Sequence, residues 1–377
     1  MSLSIKIIGQ VFEKSERAAI TREVAIGLQE MGMDVLLSPL DKPTNETPLS
    51  IGAELLQKIE AVAKTPLQNK FVSIFMTAIE GLIITDNDAL ANIPWVFSEF
   101  DKISHAQTLT LNAYPSQEIW VPTKAQKEVF ERSGVRKKIQ VVPFGVDTKR
   151  FNDSVSQIDG LRKEGHYYFG MHTNLDPISG FDIALSSFYN QFKDNDNVHL
   201  IWKTAIVGGS ADERKNAINQ ILAQNKGESK ASVIAITEDM DEAFDASLFN
   251  TVDCYINPSR AVGIGNYIQR AMASGKPVIC NINTGNKSYT NYENSLPLTS
   301  SAAKVSDLRW AMTHPLYQDV VWYHISPSEM MSKMEDASKG NIKESIGQKA
   351  KSDMSKLSWD NVLLEALKEL KKYEVLK

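Results

Sequence analysis

The sequence predicts an α/β protein with parallel sheets covered by helices, organised as two domains. Three observations lead there. Strand-like apolar runs alternate with helical patterns along most of the chain, the signature of repeated βαβ units. At 377 residues the chain exceeds one ordinary core and suits two domains of about 150–200 residues each. The alternation also restarts after a short polar stretch over residues 151–159, which reads as a linker.

Taken in order, Ser4-Ile-Lys-Ile-Ile8 is the opening strand, 9–16 a loop, and 18–31 an amphipathic helix stopped at Gly32. A strand follows over 34–38, and further strands are expected over 71–75, 95–97 and 118–122. Residues 124–133 read as a helix ended by Gly134, and 138–142 as the strand that leads into Pro143-Phe-Gly-Val-Asp147. Beyond the linker come a strand over 167–171, a helix over 183–192, a strand over 198–202, a helix over 215–224, a strand over 232–236 and a helix over 241–249. The tail 359–372 is amphipathic, with Val362, Leu363, Ala366, Leu367 and Leu370 on one stripe.

Composition narrows the function class. Hydrophobic residues at 42% and charged residues at 23% are ordinary for a globular protein. A net charge of −5 provides no overall basic field for nucleic acid or anionic membrane. Cys254 and Cys280 both lie in apolar strand-like runs, so they read as small buried hydrophobes and not as a disulfide framework or zinc motif. No apolar run reaches the ~18–20 residues of a membrane span, and the first residues lack a signal-peptide pattern. A cytoplasmic location is the expectation.

The stretch 253–280 carries the strongest chemical signal. Asp253-Cys-Tyr-Ile-Asn257 reads as a buried strand, 268–274 as a helix and Lys276-Pro-Val-Ile-Cys280 as the next strand. Gly263 and Gly265 lie between the first two. Glycines at a strand-to-helix turn allow positive φ and close approach of backbone N–H groups, and a helix N-terminus after them favours an anion such as diphosphate.

The segment Pro258-Ser-Arg-Ala-Val-Gly-Ile-Gly-Asn-Tyr-Ile-Gln-Arg-Ala-Met-Ala-Ser-Gly-Lys-Pro-Val-Ile279 resembles the donor-binding segment of family-4 (group 1) retaining glycosyltransferases. So do Trp120-Val-Pro-Thr, Ser133-Gly-Val and Val142-Pro-Phe-Gly-Val-Asp147, which are similar to the end of that family's N-terminal domain. The resemblance implies a GT-B fold: two facing Rossmann-like domains with parallel sheets, and a C-terminal helix that crosses back to the N-terminal domain. It implies an acceptor domain over 1–152, completed by the helix 359–377, and a nucleotide-sugar donor domain over 160–358. The alternative for the tail is a surface helix for a partner.

The family's two site glutamates are absent. Val262 and Arg270 stand in their places, and Asn174 and Ser179 stand where the family has a phosphate-binding Arg and Lys. Replacement contacts are available in Lys203 after a strand, Arg260 before the glycine turn, Arg270 itself and His172. Gln269 and Asn266 can accept from hydroxyls, which Arg270 cannot. The donor site implied by the resemblance therefore comprises Lys203, Arg260, Gly263, Gly265, Asn266, Arg270, Asn174 and Ser179. Candidate acceptor or sugar contacts are Gly9, Glu99, Asp101 and His105; the rival reading of the acidic pair is a helix-cap region. No catalytic side chain is singled out.

The substrates implied are a UDP-, GDP- or other nucleotide-sugar and a hydroxyl acceptor of unknown class, with no required cofactor. A protein partner belongs to the rival reading, a noncatalytic glycosyltransferase-like subunit. Asp86-Asn-Asp88 and Asp194-Asn-Asp196 read as solvated turns and not as metal sites. A nicotinamide-dependent dehydrogenase is disfavoured, because Gly9-Gln-Val-Phe-Glu-Lys14 follows the first strand where Gly-x-Gly-x-x-Gly belongs.

Overall fold

The computed structural model describes residues 3–44, 47–205, 211–238, 240–283, 285–305, 317, 320–340 and 342–374. The chain divides into two compact units: residues 1–147, 304–321 and 357–377 form the first, and 148–303 with 322–356 the second.

In the first unit, β1 (Ser4–Gly9) lies between β2 (Val35–Pro39) and β3 (Phe71–Met76), all parallel, and β4 (Asn92–Pro94) extends the sheet on the far side of β3. Helix α1 (Glu16–Glu30) joins β1 to β2 and is capped by the Ser15 side chain, which accepts from Ala18 N. Two helices that the sequence reading leaves unassigned, α2 (Thr47–Ile51) and α3 (Ala53–Lys64), come before β3. The strand expected over 95–97 is not a regular ladder. Trp95 N donates to Phe75 O of β3, and Val96 N donates to Trp120 O of β5 (Glu118–Val121), so the chain changes pairing partner between adjacent residues. Helices α4 (His105–Ala113) and α5 (Lys124–Arg132) flank β5, and β6 (Lys138–Val141) pairs with it. Phe75, Val96, Ile119, Val121 and Phe130 share one core.

The terminal helix Trp359–Glu374 packs against α1 in this unit. Its seating explains the small residue in Pro143-Phe-Gly-Val-Asp147: a Cβ on Gly145 would come within 2.9 Å of both Trp359 Cδ2 and Val362 Cγ2. Lys372 at the helix end pairs with buried Glu118 of β5. Burial opposes the charge on Glu118, but Lys372, Trp120 and Lys138 outweigh it and hold the carboxyl below its usual range.

The second unit is a six-stranded parallel sheet in the order β12-β11-β10-β7-β8-β9. Its strands are β7 (Tyr167–Asn174), β8 (Val198–Ala205), β9 (Ser232–Ile236), β10 (Cys254–Asn257), β11 (Val278–Asn281) and β12 (Leu296–Leu298), and its helices include α6 (Phe181–Gln191), α7 (Ala211–Lys226), α8 (Glu242–Thr251) and α9 (Asn266–Ala273). Phe169, Met171, Phe188, Leu200, Trp202, Ile256 and Ile279 build its core, and both cysteines are free and buried. The strand order steps outward in both directions from β7, so the crevice at the carboxyl ends of β7 and β10 is the switch point where open α/β sheets bind ligands. Among the described residues, no helix is long and apolar enough to cross a membrane.

Candidate functional site

The glycine turn between β10 and α9 is built by close backbone contact. Gly265 is the N-cap of α9 at φ +77°, and a Cβ there would lie 2.8 Å from Tyr289 Oη. Gly263 has a different role. Its carbonyl oxygen lies where a Cβ on Gly285 would be, 1.6 Å away, and Gly285 N donates to Val262 O at 2.9 Å. The Tyr289 hydroxyl contacts the carbonyls of Ile264 and Gly265. The 285–289 segment thus pins the turn and aims the N-terminus of α9, beginning with Asn266, at the sheet's carboxyl edge. That orientation suits an anion. Val262, at the family's first glutamate position, is buried and packs on Gly265.

Arg260 is a structural clip. Its Nη1 donates to Pro177 O at 2.6 Å, its two Nη groups bind Asp182 at 3.0 and 2.8 Å, and its guanidinium lies 5.5 Å from the Trp322 ring centroid. Its backbone N donates to Ile178 O, which joins the 174–180 loop to the glycine turn. Ser179 is likewise committed inward: its Oγ lies 2.6 Å from Asn174 O and 2.8 Å from Asp176 O, and its N donates to Asp176 Oδ1. Gly180, at φ +68°, closes the loop where a Cβ would meet Pro258 O at 2.1 Å. Asn174 ends β7 with its side chain exposed.

The densest chemistry lies on α8. Strand β8 runs three residues beyond the expected 198–202, and this extension sets Lys203 in register with His172 of β7. Both reach Asp245: Lys203 pairs with it, and His172 Nε2 lies 3.4 Å from the same Oδ1. His172 is stacked 4.5 Å from Tyr267 and 5.2 Å from Phe249, centroid to centroid. One turn earlier on α8, Glu242 takes Arg270 Nη2 on Oε1 at 2.9 Å and Arg150 on Oε2. The Arg270 guanidinium also lies 4.5 Å from the Phe151 ring centroid. Burial lowers the His172 pKa, helped by the charges of Lys203 and Arg270 against the pull of Asp245. For Asp245, burial raises the pKa, yet the His172 hydrogen bond and Lys203 outweigh it and keep the carboxylate well below its ordinary range.

The first-unit candidates are placed differently. Gly9 ends β1, and a Cβ there would lie 2.5 Å from Met76 O, so the residue is small for strand packing. Glu99 Oε1 lies 3.8 Å from Arg17, whose guanidinium rests 4.1 Å from the Phe97 ring centroid and donates to Thr77 O. Asp101 pairs with Arg132 of α5, and His105 is the exposed first residue of α4 behind the Ser104 capping box. The backbone N–H groups after β1, which hold phosphate in dinucleotide folds, are filled from within: Asp41 accepts from Val11, Phe12 and Glu13 at 2.7, 2.7 and 2.9 Å. Asp86 is no solvated turn. It binds Lys6 at 2.7 Å and Ser73 at 3.0 Å, and those contacts outweigh burial to lower its pKa.

The structure therefore gathers Lys203, Arg270 and His172 around α8, and it ties Arg260, Asn174 and Ser179 into the adjoining loop. Sequence reasoning missed Arg150, Glu242 and Asp245. Spacing was the available signal, because carboxylates at i and i+3 behind an Asp241 N-cap share one helix face.

The sequence profile of the family Glycosyl transferases group 1 matches residues 166–309. No curated protein sequence matches the chain. Among solved structures, HepE of Anabaena in complex with UDP-glucose is similar at a TM-score of 0.69 and 13% identity, covering 98% of this chain and 100% of that one. Sucrose-phosphate synthase of Thermosynechococcus elongatus is similar at 0.69 and 13%, with 99% and 100% covered. A glycosyltransferase of Rickettsia africae is similar at 0.69 and 11%, with both chains fully covered (100%). The chain thus has the GT-B fold, and residues 166–309, most of them in its second unit, match the profile of the group 1 glycosyltransferases.

Proposed function

We propose that the chain transfers a sugar from a nucleotide-sugar to a hydroxyl acceptor with retention, and that the second unit holds the donor at the carboxyl edge of its sheet. The observation that carries this reading is the N-terminus of α9, opened by Gly263 and Gly265, on the same sheet edge as the half-buried Lys203 and the buried Arg270. In the transfer, the bond from the anomeric carbon to the β-phosphate oxygen breaks, the acceptor oxygen bonds to that carbon, its proton passes to the departing phosphate oxygen, and the nucleoside diphosphate leaves. Backbone N–H groups and cations aimed at the departing oxygen supply the electrostatic stabilisation such a step needs. The lost glutamates do not remove that contribution, since it comes from donors and not from carboxylates. Gly9, Glu99, Asp101 and His105 are the acceptor candidates on the first unit.

A noncatalytic reading draws on one specific observation: Lys203, Arg270 and Arg150 already pair with carboxylates of the same unit. Binding and turnover separate the two. In a panel of UDP-, GDP-, ADP- and TDP-sugars, led by UDP-glucose because HepE was solved with it, at least one donor is expected to raise the melting temperature and be slowly hydrolysed. A donor that binds without turnover in the presence of varied acceptors supports the noncatalytic subunit. No binding by any donor refutes the transferase reading and favours the noncatalytic one.

A further inference from the structure

A nucleoside diphosphate sugar presents two chemistries to the protein that holds it. Its phosphates call for cations or N–H donors, and its ribose diol calls for a hydrogen-bond acceptor. Lys203, Arg150 and Arg270 can donate to the diol's oxygens but cannot accept from its hydroxyls, because ammonium and guanidinium groups only donate. The carboxylates that face these cations are Glu242 and Asp245, and their settings differ. Asp245 is bonded by His172, itself stacked with Tyr267 and Phe249, and by Lys203, with 4% of its surface exposed. Glu242 is the first residue of α8, at the carboxyl edge of the sheet, and is 8% exposed.

Its two oxygens meet different guanidinium groups, Arg270 on Oε1 and Arg150 on Oε2. Arg270 is itself held from its other face by Phe151. A carboxylate offers about four acceptor directions, so this clamp fixes its orientation without exhausting it. The two arginines also compensate its charge, which removes the electrostatic objection to a carboxylate beside a diphosphate.

Resting on the reading of this unit as a nucleotide-sugar site, we infer that Glu242 is the acceptor for the ribose diol, delivered from α8, with Arg150 and Arg270 as its positioning residues. The side chain at 270 then does not touch the ribose itself; it aims the group that does. A site built around such an acceptor discriminates against ligands that lack the hydroxyls.

Calorimetric titration of the full chain with UDP, GDP and ADP, each beside its 2′,3′-dideoxy counterpart, tests this. The nucleotide that binds is expected to do so about ten-fold or more tightly as the ribo form. Glu242→Leu, which removes the acceptor oxygens and is checked for folding by its melt, is expected to lose most of that preference while its affinity for the dideoxy form holds. Arg150→Gln, which loosens the clamp, shifts the preference in the same direction. A wild-type chain that binds nucleotide without preferring the ribo form overturns the assignment and leaves the nucleotide reading standing. So does a preference that survives Glu242→Leu but disappears in Asn266→Ala or Gln269→Ala. If none of the nucleotides binds, both readings fail together.

Discussion

His172 is a buried ring held among aromatic neighbours, Asp245 and two cations, and its lowered pKa has a defined consequence. In the unfolded chain the ring takes a proton near pH 6.5. Between that pH and its lower folded value the unfolded state binds more protons, so stability falls as the medium is acidified, by at most about 1.4 kcal/mol per pH unit. His199, lowered by burial and by neighbouring His166, adds the same sign. Asp245 acts in a different window: its contribution is complete above the ordinary carboxylate range near pH 3.9 and is lost only as pH falls through its folded value. Urea melts of the wild type from pH 7.5 to 5.5 should therefore show declining stability, and His172→Phe should flatten that slope. An unchanged slope would mean the ring is protonated in the native protein.

Residue identity alone does not show which contacts these groups make, and the reason is physical. Ser179 and Arg260 have the chemistry of ligand contacts, yet their hydrogen-bonding capacity goes to Asn174 O, Asp176 O, Pro177 O and Asp182. A sequence states what a side chain can donate. It does not state which neighbour is within 3 Å.

Among the elements, α8 and α9 were both legible from the alternation of patterns, with ends within two residues of those observed. Their coupling was not. Arg270→Ala leaves the Glu242 carboxylate with Arg150 in a buried setting, and breaking such a pair typically costs about 3–5 kcal/mol. The variant is therefore expected to lose thermal stability as well as donor affinity, and a melt run beside the titration separates the two losses. If affinity drops while the melting temperature is unchanged, Arg270 contacts the ligand and does not brace α8.

The terminal helix is the clearer case of a legible element. Its apolar stripe includes Val362, Leu363, Ala366 and Leu370, all buried, and Trp359 seals Gly145 and lies 6.4 Å from Phe144, centroid to centroid. Trp359→Ala should cost about 3–5 kcal/mol, read as a lowered melting temperature. The alternative, a surface helix awaiting a partner, would show almost no loss. By contrast, α3 and the β4 pairing escaped the reading, because short strands and helices outside a clean alternation are decided by tertiary contacts.

At the scale of the whole molecule, the chain is two cores joined by more than one crossing, since 304–321 and 357–377 return to the first unit. A ligand that binds one unit stabilises that unit by mass action, by about 2.7 kcal/mol at one hundred times its Kd. Hydrogen exchange with saturating nucleotide-sugar should slow amides of α8, α9 and the 258–265 turn in the second unit, while the core of β1 and β3 in the first changes little. Protection confined to the first unit would relocate the donor site.

The sequence by itself determined the α/β class, the strand–glycine turn–helix segment, the amphipathic stripe of the terminal helix and the absence of the paired glutamates, because these depend on local periodicity and on which residue occupies a motif position; the return of that helix to the first unit was implied by the family resemblance alone. Only the tertiary structure decided what those replacements do. It joined Arg270 to Glu242 and Arg150, Lys203 to His172 and Asp245, and Ser179 to its own loop. Glu242 lies 28 residues before Arg270, and nothing in the spacing of the chain announces a contact that parallel strand order and helix packing create.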